Sequence, residues 1–110
     1  MSDPGILAQV KWVANPFRGD RFEELWLPAA EAVLDYGATG WALVRAKDGL
    51  LDFTQWAFFP SQAEFDLYWY SEEIAAARAK VSGLHQVPLL PTFHQVAGIG
   101  SLLPVHSAPD

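Results

Sequence analysis

The sequence of 110 residues contains no cysteine. Disulfide frameworks, thiolate zinc sites and cysteine nucleophiles are therefore excluded, and a reducing compartment such as the cytoplasm is expected. Basic residues are also scarce, with 7 lysines and arginines against 13 acidic residues, and they form no cluster. Because neutralising phosphate groups requires clustered cations, neither nucleic acid nor an anionic membrane surface is an expected partner.

Long apolar runs are missing as well. No stretch approaches the roughly 20 residues that cross a bilayer, and Met1–Gly5 shows no basic and apolar leader pattern, so no secretory signal is expected. The three histidines have no acidic residue at metal-ligand spacing, so we expect no metal site. What the chain does have is apolar and aromatic content, 51% and 14%, which is enough for the core of one domain.

Apolar periodicity and turn residues predict the element order β-α-β-β-α-β. The predicted strands are Ile6–Val13, Thr39–Ala46, Leu51–Phe59 and Val87–Val96. A single apolar stripe of helical period begins at Phe22 and runs to Leu34. Asp20 with Glu23 resembles a capping box at the start of this first helix. Pro28 predicts a kink in the helix or two helices in series, and Gly37 predicts its C-terminal end.

Turn and capping residues divide the second half of the chain. Lys47-Asp48-Gly49 predicts a tight hairpin between the second and third strands. Ser61 with Glu64 predicts the cap of the second helix, and Ser71 a second cap within the same helical region. Pro88 and Pro91 cannot donate to a ladder, so the first half of the last strand is expected to be an edge or an irregular lead-in.

The order predicts a ferredoxin-like α+β domain over residues 1–96, a four-stranded antiparallel sheet with two helices on one face. Large apolar residues point to both faces of the predicted sheet. Trp41 and Val44 have opposite strand parity, as do Phe53 and Trp56. In a sheet with one solvated face, apolar and polar residues should alternate along each strand, so we expect a second copy to bury the other face in a homodimer. The alternative is that these side chains are exposed. We expect the apolar tail 97–110 to pack against another surface, of which the partner subunit is one candidate.

Several segments together resemble the antibiotic-biosynthesis monooxygenase-like proteins of the dimeric α+β barrel group. They are Tyr36-Gly37-Ala38-Thr39-Gly40-Trp41, Thr54-Gln55-Trp56, Ser61–Phe65, Tyr68 and Ile74-Ala75-Ala76. The similarity extends over Ile6–Val96. The family includes cofactor-independent oxygenases that act on polycyclic phenols, heme-degrading enzymes, and members without known activity.

The resemblance also suggests positions within a site. Gln9 falls where heme-degrading relatives place an asparagine of the first strand, and Tyr68, with Trp69 beside it, where they place a tryptophan of the second helix. Ala77 falls at their heme-ligating histidine. Because alanine cannot bind iron, this departure argues against heme, although His85 could substitute from the next loop.

The predicted pocket lies between the second helix and the sheet. Its expected catalytic residues are His94, Tyr68 and Gln9, and its expected substrate-binding residues are Trp69, Trp56 and Phe65. Aromatic faces would stack a flat substrate, and the polar groups would favour its phenolate. In the alternative interpretation Tyr68 and Trp69 are core residues and His94 is a packed strand residue.

Two hypotheses of different class follow for the function. The first is a monooxygenase that needs no metal or organic cofactor and acts on a small aromatic phenol. The second is a non-catalytic small-molecule-binding or assembly protein, which predicts an interior too tightly filled for a ring system. Heme degradation comes third.

Overall fold

The computed structural model describes residues 5–87 and 89–100. The expectations for Met1–Pro4, Pro88 and residues 101–110 lie outside this part of the chain. The strands and helices, in chain order, are β1 (Ile6–Val13), α1 (Gly19–Glu31), a 3-10 helix (Ala32–Tyr36), β2 (Gly40–Arg45), β3 (Asp52–Phe59), α2 (Gln62–Trp69), α3 (Glu72–Val81) and β4 (Thr92–Gln95).

The four strands form one antiparallel sheet in the order β2-β3-β1-β4. This confirms the ferredoxin-like prediction, with β1 and β3 at the centre of the sheet. The helical layer differs from the two-helix description in one detail, because the second helical region is two helices, as the predicted cap at Ser71 indicates. They are separated at Tyr70 and Ser71, where the Ser71 hydroxyl accepts from the Ile74 N–H and begins α3. No helix in the described ranges is long and apolar enough to cross a membrane.

The start of α1 differs from its prediction. The helix begins at Gly19, its N-cap residue Arg18 makes no side-chain cap bond, and the expected capping box of Asp20 and Glu23 is wrong. Both carboxylates instead accept hydrogen bonds from the Arg45 guanidinium at the end of β2, at 2.9 and 3.0 Å. The hydrogen bond with Asp20 is the main cause of a raised pKa for Arg45. Asp20 and Glu23 therefore bind α1 to the sheet through Arg45.

The boundary between two helical segments does not lie at Pro28, because α1 runs through Pro28 to Glu31 without a break. The chain changes to the 3-10 helix only at Ala32. Gly37 then ends the 3-10 helix with φ of 97°, a left-handed conformation in which glycine carries no steric penalty.

The hairpin prediction is confirmed, and β2 and β3 pair from Gly40↔Phe58 to Arg45↔Phe53. Its turn uses positive φ at Gly49 and Leu50. The last strand is shorter than predicted, because only Thr92–Gln95 pairs with β1.

The two faces of the sheet have different environments. The face toward the helices, here called the inner face, carries the buried residues of β1 and β3: Ala8, Val10, Trp12, Phe53, Gln55, Ala57 and Phe59. The opposite, outer face carries half-buried and exposed residues, among them Leu7, Val13, Val44, Trp56 and Phe58. No element described here covers the outer face, and its apolar residues agree with the two-parity pattern of the strands.

A cap at the start of α2 gives a first testable prediction. The Ser61 hydroxyl accepts from the Ala63 N–H and donates to the Glu64 carboxylate, and that hydrogen bond lowers the pKa of Glu64. Ser61→Ala should cost about 1 kcal/mol from the cap alone. A carboxyl group whose pKa is lowered by folding stabilises the folded state at pH values above the ordinary glutamate pKa, and this contribution is lost as the pH falls through the lowered pKa. The loss of stability in Ser61→Ala should therefore be smaller in acid than at neutral pH.

Urea unfolding at neutral and acidic pH measures this effect. Ser71→Ala is the matched control, because Ser71 also caps a helix while its hydroxyl donates to the Tyr68 carbonyl rather than to a carboxylate. A deficit for Ser61→Ala with the same pH dependence as that of Ser71→Ala would contradict the role given to Glu64.

Candidate functional site

A hydrogen-bonded network is buried between the helices and the inner face. Its centre is Gln55 of β3, a polar side chain only 3% exposed in the core. The Gln55 Oε1 accepts from the indole N–H groups of Trp12 and Trp26, at 3.1 and 3.0 Å. Its amide nitrogen donates to the Tyr68 hydroxyl at 3.1 Å, which in turn donates to the Ala29 carbonyl at 2.8 Å. Each of these side-chain nitrogen and oxygen atoms therefore has at least one hydrogen-bond partner.

Aromatic rings fill the space around this network. Trp12 and Trp26 have centroids 4.6 Å apart, and Trp69 lies 6.2 Å from Trp12 and 6.4 Å from Trp26. Phe65 stacks on Trp69 at 5.5 Å with 19° between the rings. Rings at these separations are in direct contact. In this conformation Gln55 and the surrounding rings leave no room for a second ring system.

The protonation of Tyr68 limits what it can do. Burial is the main cause that raises the pKa of its hydroxyl, against a lowering contribution from the hydrogen bond with Gln55. The hydroxyl therefore keeps its proton and uses it in the bond to the Ala29 carbonyl. Tyr68 is thus suited to hold α2 against α1, and not to accept a proton from a substrate.

A second group of polar and aromatic side chains crosses three strands on the outer face. We call Trp56, Gln9, Thr92 and His94 the outer stripe. The Trp56 indole donates to the Gln9 Oε1 at 2.7 Å, and the Thr92 hydroxyl lies 3.1 Å from the His94 Nε2. Gln9 pairs across the ladders with both Trp56 and Thr92, which makes the stripe continuous. Trp56 is 37% exposed, so part of its side chain is accessible.

The structure therefore divides the six predicted site residues into two groups. Tyr68, Trp69 and Phe65 are buried on the helix side, and Gln9, Trp56 and His94 belong to the outer stripe. The expectation of a single pocket lined by all six is wrong, because the sheet lies between the groups. Their predicted roles in catalysis and binding stay predictions.

Gln55 is the residue of this region whose position the sequence interpretation missed. A signal was present, because Gln55 has the same strand parity as Phe53, Ala57 and Phe59. A polar residue at an apolar parity must find a buried partner or pay a desolvation cost. The indole N–H groups of Trp12 and Trp26 supply that partner.

A groove of about 330 Å³ lies on the outside of the helical layer, between α1 and α3. Its lining includes Leu25, Pro28 and Ala77, with Glu24 and Glu73 also present. Glu73 already accepts a hydrogen bond from the Tyr36 hydroxyl at 2.9 Å. The groove is open to solvent, and it does not reach Gln55.

The residues present do not fit a heme group. Ala77, at the position suggested for the ligating histidine, lines the groove between α1 and α3. His85 does not take its place, because its ring packs edge-on against Trp12 with centroids 4.9 Å apart and it does not line the groove beside Ala77. Across the described ranges, no three His, Cys, Asp or Glu side chains form a possible metal site.

These observations define a class of protein: a ferredoxin-like sheet backed by helices on one face and open on the other. Many solved structures with a matching fold are antibiotic biosynthesis monooxygenase-like proteins. The resemblance stated from the sequence is confirmed at the level of the fold. No protein-family model and no curated protein matches the sequence.

Three solved structures illustrate the similarity. A Nitrosomonas europaea protein assigned to the antibiotic biosynthesis monooxygenases has a TM-score of 0.77 at 11% identity, over 84% of this chain and 99% of its own. SnoaB, a cofactor-independent oxygenase from Streptomyces nogalater, has a TM-score of 0.73 at 10% identity, over 86% of this chain and 94% of its own. Rv0793 from Mycobacterium tuberculosis has a TM-score of 0.70 at 16% identity, over 87% of this chain and 96% of its own. At these identities the similarity establishes the fold.

Proposed function

We propose that this protein is a homodimeric, cofactor-independent monooxygenase that takes a small phenol at the outer stripe. The observation that carries the proposal is the geometry of the stripe, where the partly exposed Trp56, the Gln9 amide and the His94 imidazole lie on one face of the sheet. The similarity in fold to SnoaB supports the reaction class. The lack of cysteine is in keeping with the cytoplasm as its location.

The stripe offers each group that the reaction needs. The indole of Trp56 provides a face on which a flat ring stacks. The His94 imidazole, exposed on β4, accepts the phenolic proton, a role for which histidine is suited near neutral pH. The Gln9 amide nitrogen is free of the bond that its oxygen makes with Trp56, and it donates to the phenolate oxygen.

The reaction balances with molecular oxygen as the oxidant. A phenol with a free para position and O₂ give a para-quinone and water. One oxygen atom forms the new C=O bond, and the other leaves as water with the phenolic proton and the para hydrogen. The phenolate supplies the electrons, so the chain contributes binding, deprotonation and shielding from bulk water.

A second copy on the outer face would enclose the stripe. The apolar side chains Leu7, Val44 and Phe58 lie on the same face as the stripe, and a contiguous apolar surface of this kind marks an interaction site. A two-fold dimer places the same face of each chain against the other. The substrate would then lie between two sheets, protected from water.

Oxygen uptake by the purified protein with anthrone- and naphthol-like phenols, whose para positions are free, tests the proposal. Uptake above the spontaneous rate is expected without added cofactor. His94→Ala should lower turnover about 100-fold, the scale of general base catalysis, with an unchanged thermal midpoint. His85→Ala is the matched control, since His85 lies outside the stripe.

Equal turnover in the His94 and His85 variants would reject the site. No enzyme-dependent uptake across the panel would reject the reaction. The second candidate, a non-catalytic binding or assembly protein, would then be favoured by the ring-filled interior around Gln55, which is the packing that this hypothesis predicts.

A further inference from the structure

We propose that the end of the domain beside the start of α1 associates with a second copy of itself, through the exposed ring of Phe17 and a hollow next to it. The hollow has a volume of about 310 Å³ and is lined by Phe17, Gly19, Asp20, Arg45, Leu50 and Leu51. None of these residues belongs to the outer stripe, so the inference does not rest on the proposed function.

Phe17 is held in a backbone conformation that phenylalanine disfavours. It is the third residue of a turn in which the Arg18 N–H donates to the Asn15 carbonyl at 2.9 Å, and its φ is 66°. Pro16 occupies the second position of the turn. Proline followed by a residue of positive φ is typical of a type II turn, in which glycine is favoured at the third position. A bulky side chain there has a conformational cost that glycine avoids.

The ring of Phe17 also has a cost of exposure to water. Phe17 is 99% exposed, more than any other large apolar residue in the described part of the chain. Leu50, which lines the same hollow, is 52% exposed and has a φ of 61°. Two apolar side chains that are both strained and exposed at one place indicate a surface that a partner buries.

The hollow has the size that the ring of a second Phe17 requires. An apolar cavity of about 150 Å³ holds a benzene molecule, so a hollow of about 310 Å³ has room for one phenyl ring and its methylene group. The Arg45 guanidinium in the hollow already pairs with Asp20 at 2.9 Å. A small molecule in the hollow would leave part of the Phe17 ring in water, whereas a protein surface that carries such a ring covers both.

The ring and the hollow lie side by side on one surface, which is the arrangement that a two-fold contact uses. In such a contact the same patch of both chains is buried, so Phe17 of each copy enters the hollow of the other. Phe17 and Leu50 of the two copies then share one apolar cluster. Few residues form this contact, and small contacts are weak and depend on concentration. We therefore expect it to add copies to the assembly only at high protein concentration.

Sedimentation equilibrium from about 10 µM to 1 mM, the range of weak contacts, tests the association. The apparent mass of the wild-type chain should rise with concentration. Phe17→Gly should weaken the association at least about 100-fold, because each pair of copies loses two buried rings. This variant should fold, since glycine suits the left-handed position. Tyr70→Ala is the matched control, because it removes an aromatic side chain that is 74% exposed and lies outside the hollow.

A nuclear Overhauser experiment at the highest concentration tests the insertion of the ring. Perdeuterated chains that carry protonated, carbon-13-labelled leucine methyl groups are mixed with unlabelled chains, so a signal between an aromatic ring and a methyl group arises only between two chains. We expect such a signal between the Phe17 ring and the Leu50 methyl groups. Its assignment is checked by its loss in Phe17→Gly and in Leu50→Gly.

The two measurements together decide the inference. A mass that rises with concentration in the wild type and in Tyr70→Ala but not in Phe17→Gly, together with the signal between Phe17 and Leu50, supports it. A wild-type mass that is constant over the range overturns it and leaves a different protein as the occupant of this surface. Equal association of Phe17→Gly and the wild type also overturns it. Association without a signal between Phe17 and Leu50 overturns the insertion of the ring.

Discussion

Replacing Gln55 with leucine is expected to lower the free energy of unfolding by about 2–6 kcal/mol, because it leaves two buried indole N–H groups without an acceptor. Leucine fills a similar volume, so little of the loss comes from a cavity. Tyr68 keeps its bond to the Ala29 carbonyl. A loss of this size is a large part of the 5–15 kcal/mol typical of single domains. Urea unfolding measures it.

A double-mutant cycle separates the hydrogen bonds from the packing. Trp26→Phe removes one of the orphaned donors, so Gln55→Leu should cost about 1–2 kcal/mol less in that background. Thr54→Val, on the neighbouring outward position of β3, is the control and should change stability by less than about 1 kcal/mol. A Gln55→Leu variant as stable as the control would show that the network adds nothing to the stability of the fold.

Introducing a charge at the centre of the outer face should abolish the proposed homodimer. Thr54 lies on β3 between Lys11 of β1 and Val44 of β2. Thr54→Lys is compatible with the monomer, where water solvates the new ammonium group. In a two-fold dimer it buries an additional cation directly beside Lys11 in each chain, and the penalty of several kcal/mol raises the dimer Kd more than about 1,000-fold.

Light scattering measures the molar mass, which should fall in this variant from that of two chains to that of one. Leu67→Lys is the matched control, because Leu67 is 68% exposed on α2, on the far side of the sheet, and this variant should stay dimeric. If Thr54→Lys has the wild-type mass and the wild-type mass is that of a dimer, the dimer uses another surface. A monomeric wild-type chain would reject the dimer itself.

Most of the fold could be predicted from the sequence because the main signals were local. The hairpin depended on Gly49, and the boundary between α2 and α3 depended on Ser71 as a cap. The start of α1 could not be predicted in the same way. Asp20 has a capping side chain, but the guanidinium of Arg45, 25 residues away, binds it instead.

The site was predicted less well, since it depends on which face of the sheet the helices cover. Strand parity already placed Gln9 opposite Ala8, Val10 and Trp12. With the helices on the Trp12 side, Gln9 could not meet Tyr68 in one pocket. The cross-strand neighbours of Gln9 follow from the register, which pairs it with Trp56 and Thr92. Register is a property of long-range pairing, and short sequence windows do not contain it.

The packing of the buried indoles also gives the protein an optical signature. Trp12, Trp26 and Trp69 have centroids within 6.4 Å of one another, a range in which their electronic transitions couple. Trp56, whose ring is partly accessible on the outer face, lies outside that coupled set. The fifth tryptophan, Trp41, lies on β2, and in a Trp41→Phe background the chain contains two intrinsic spectroscopic probes. A coupled circular-dichroism band reports the packing of the core, and the emission of Trp56 reports what covers the sheet.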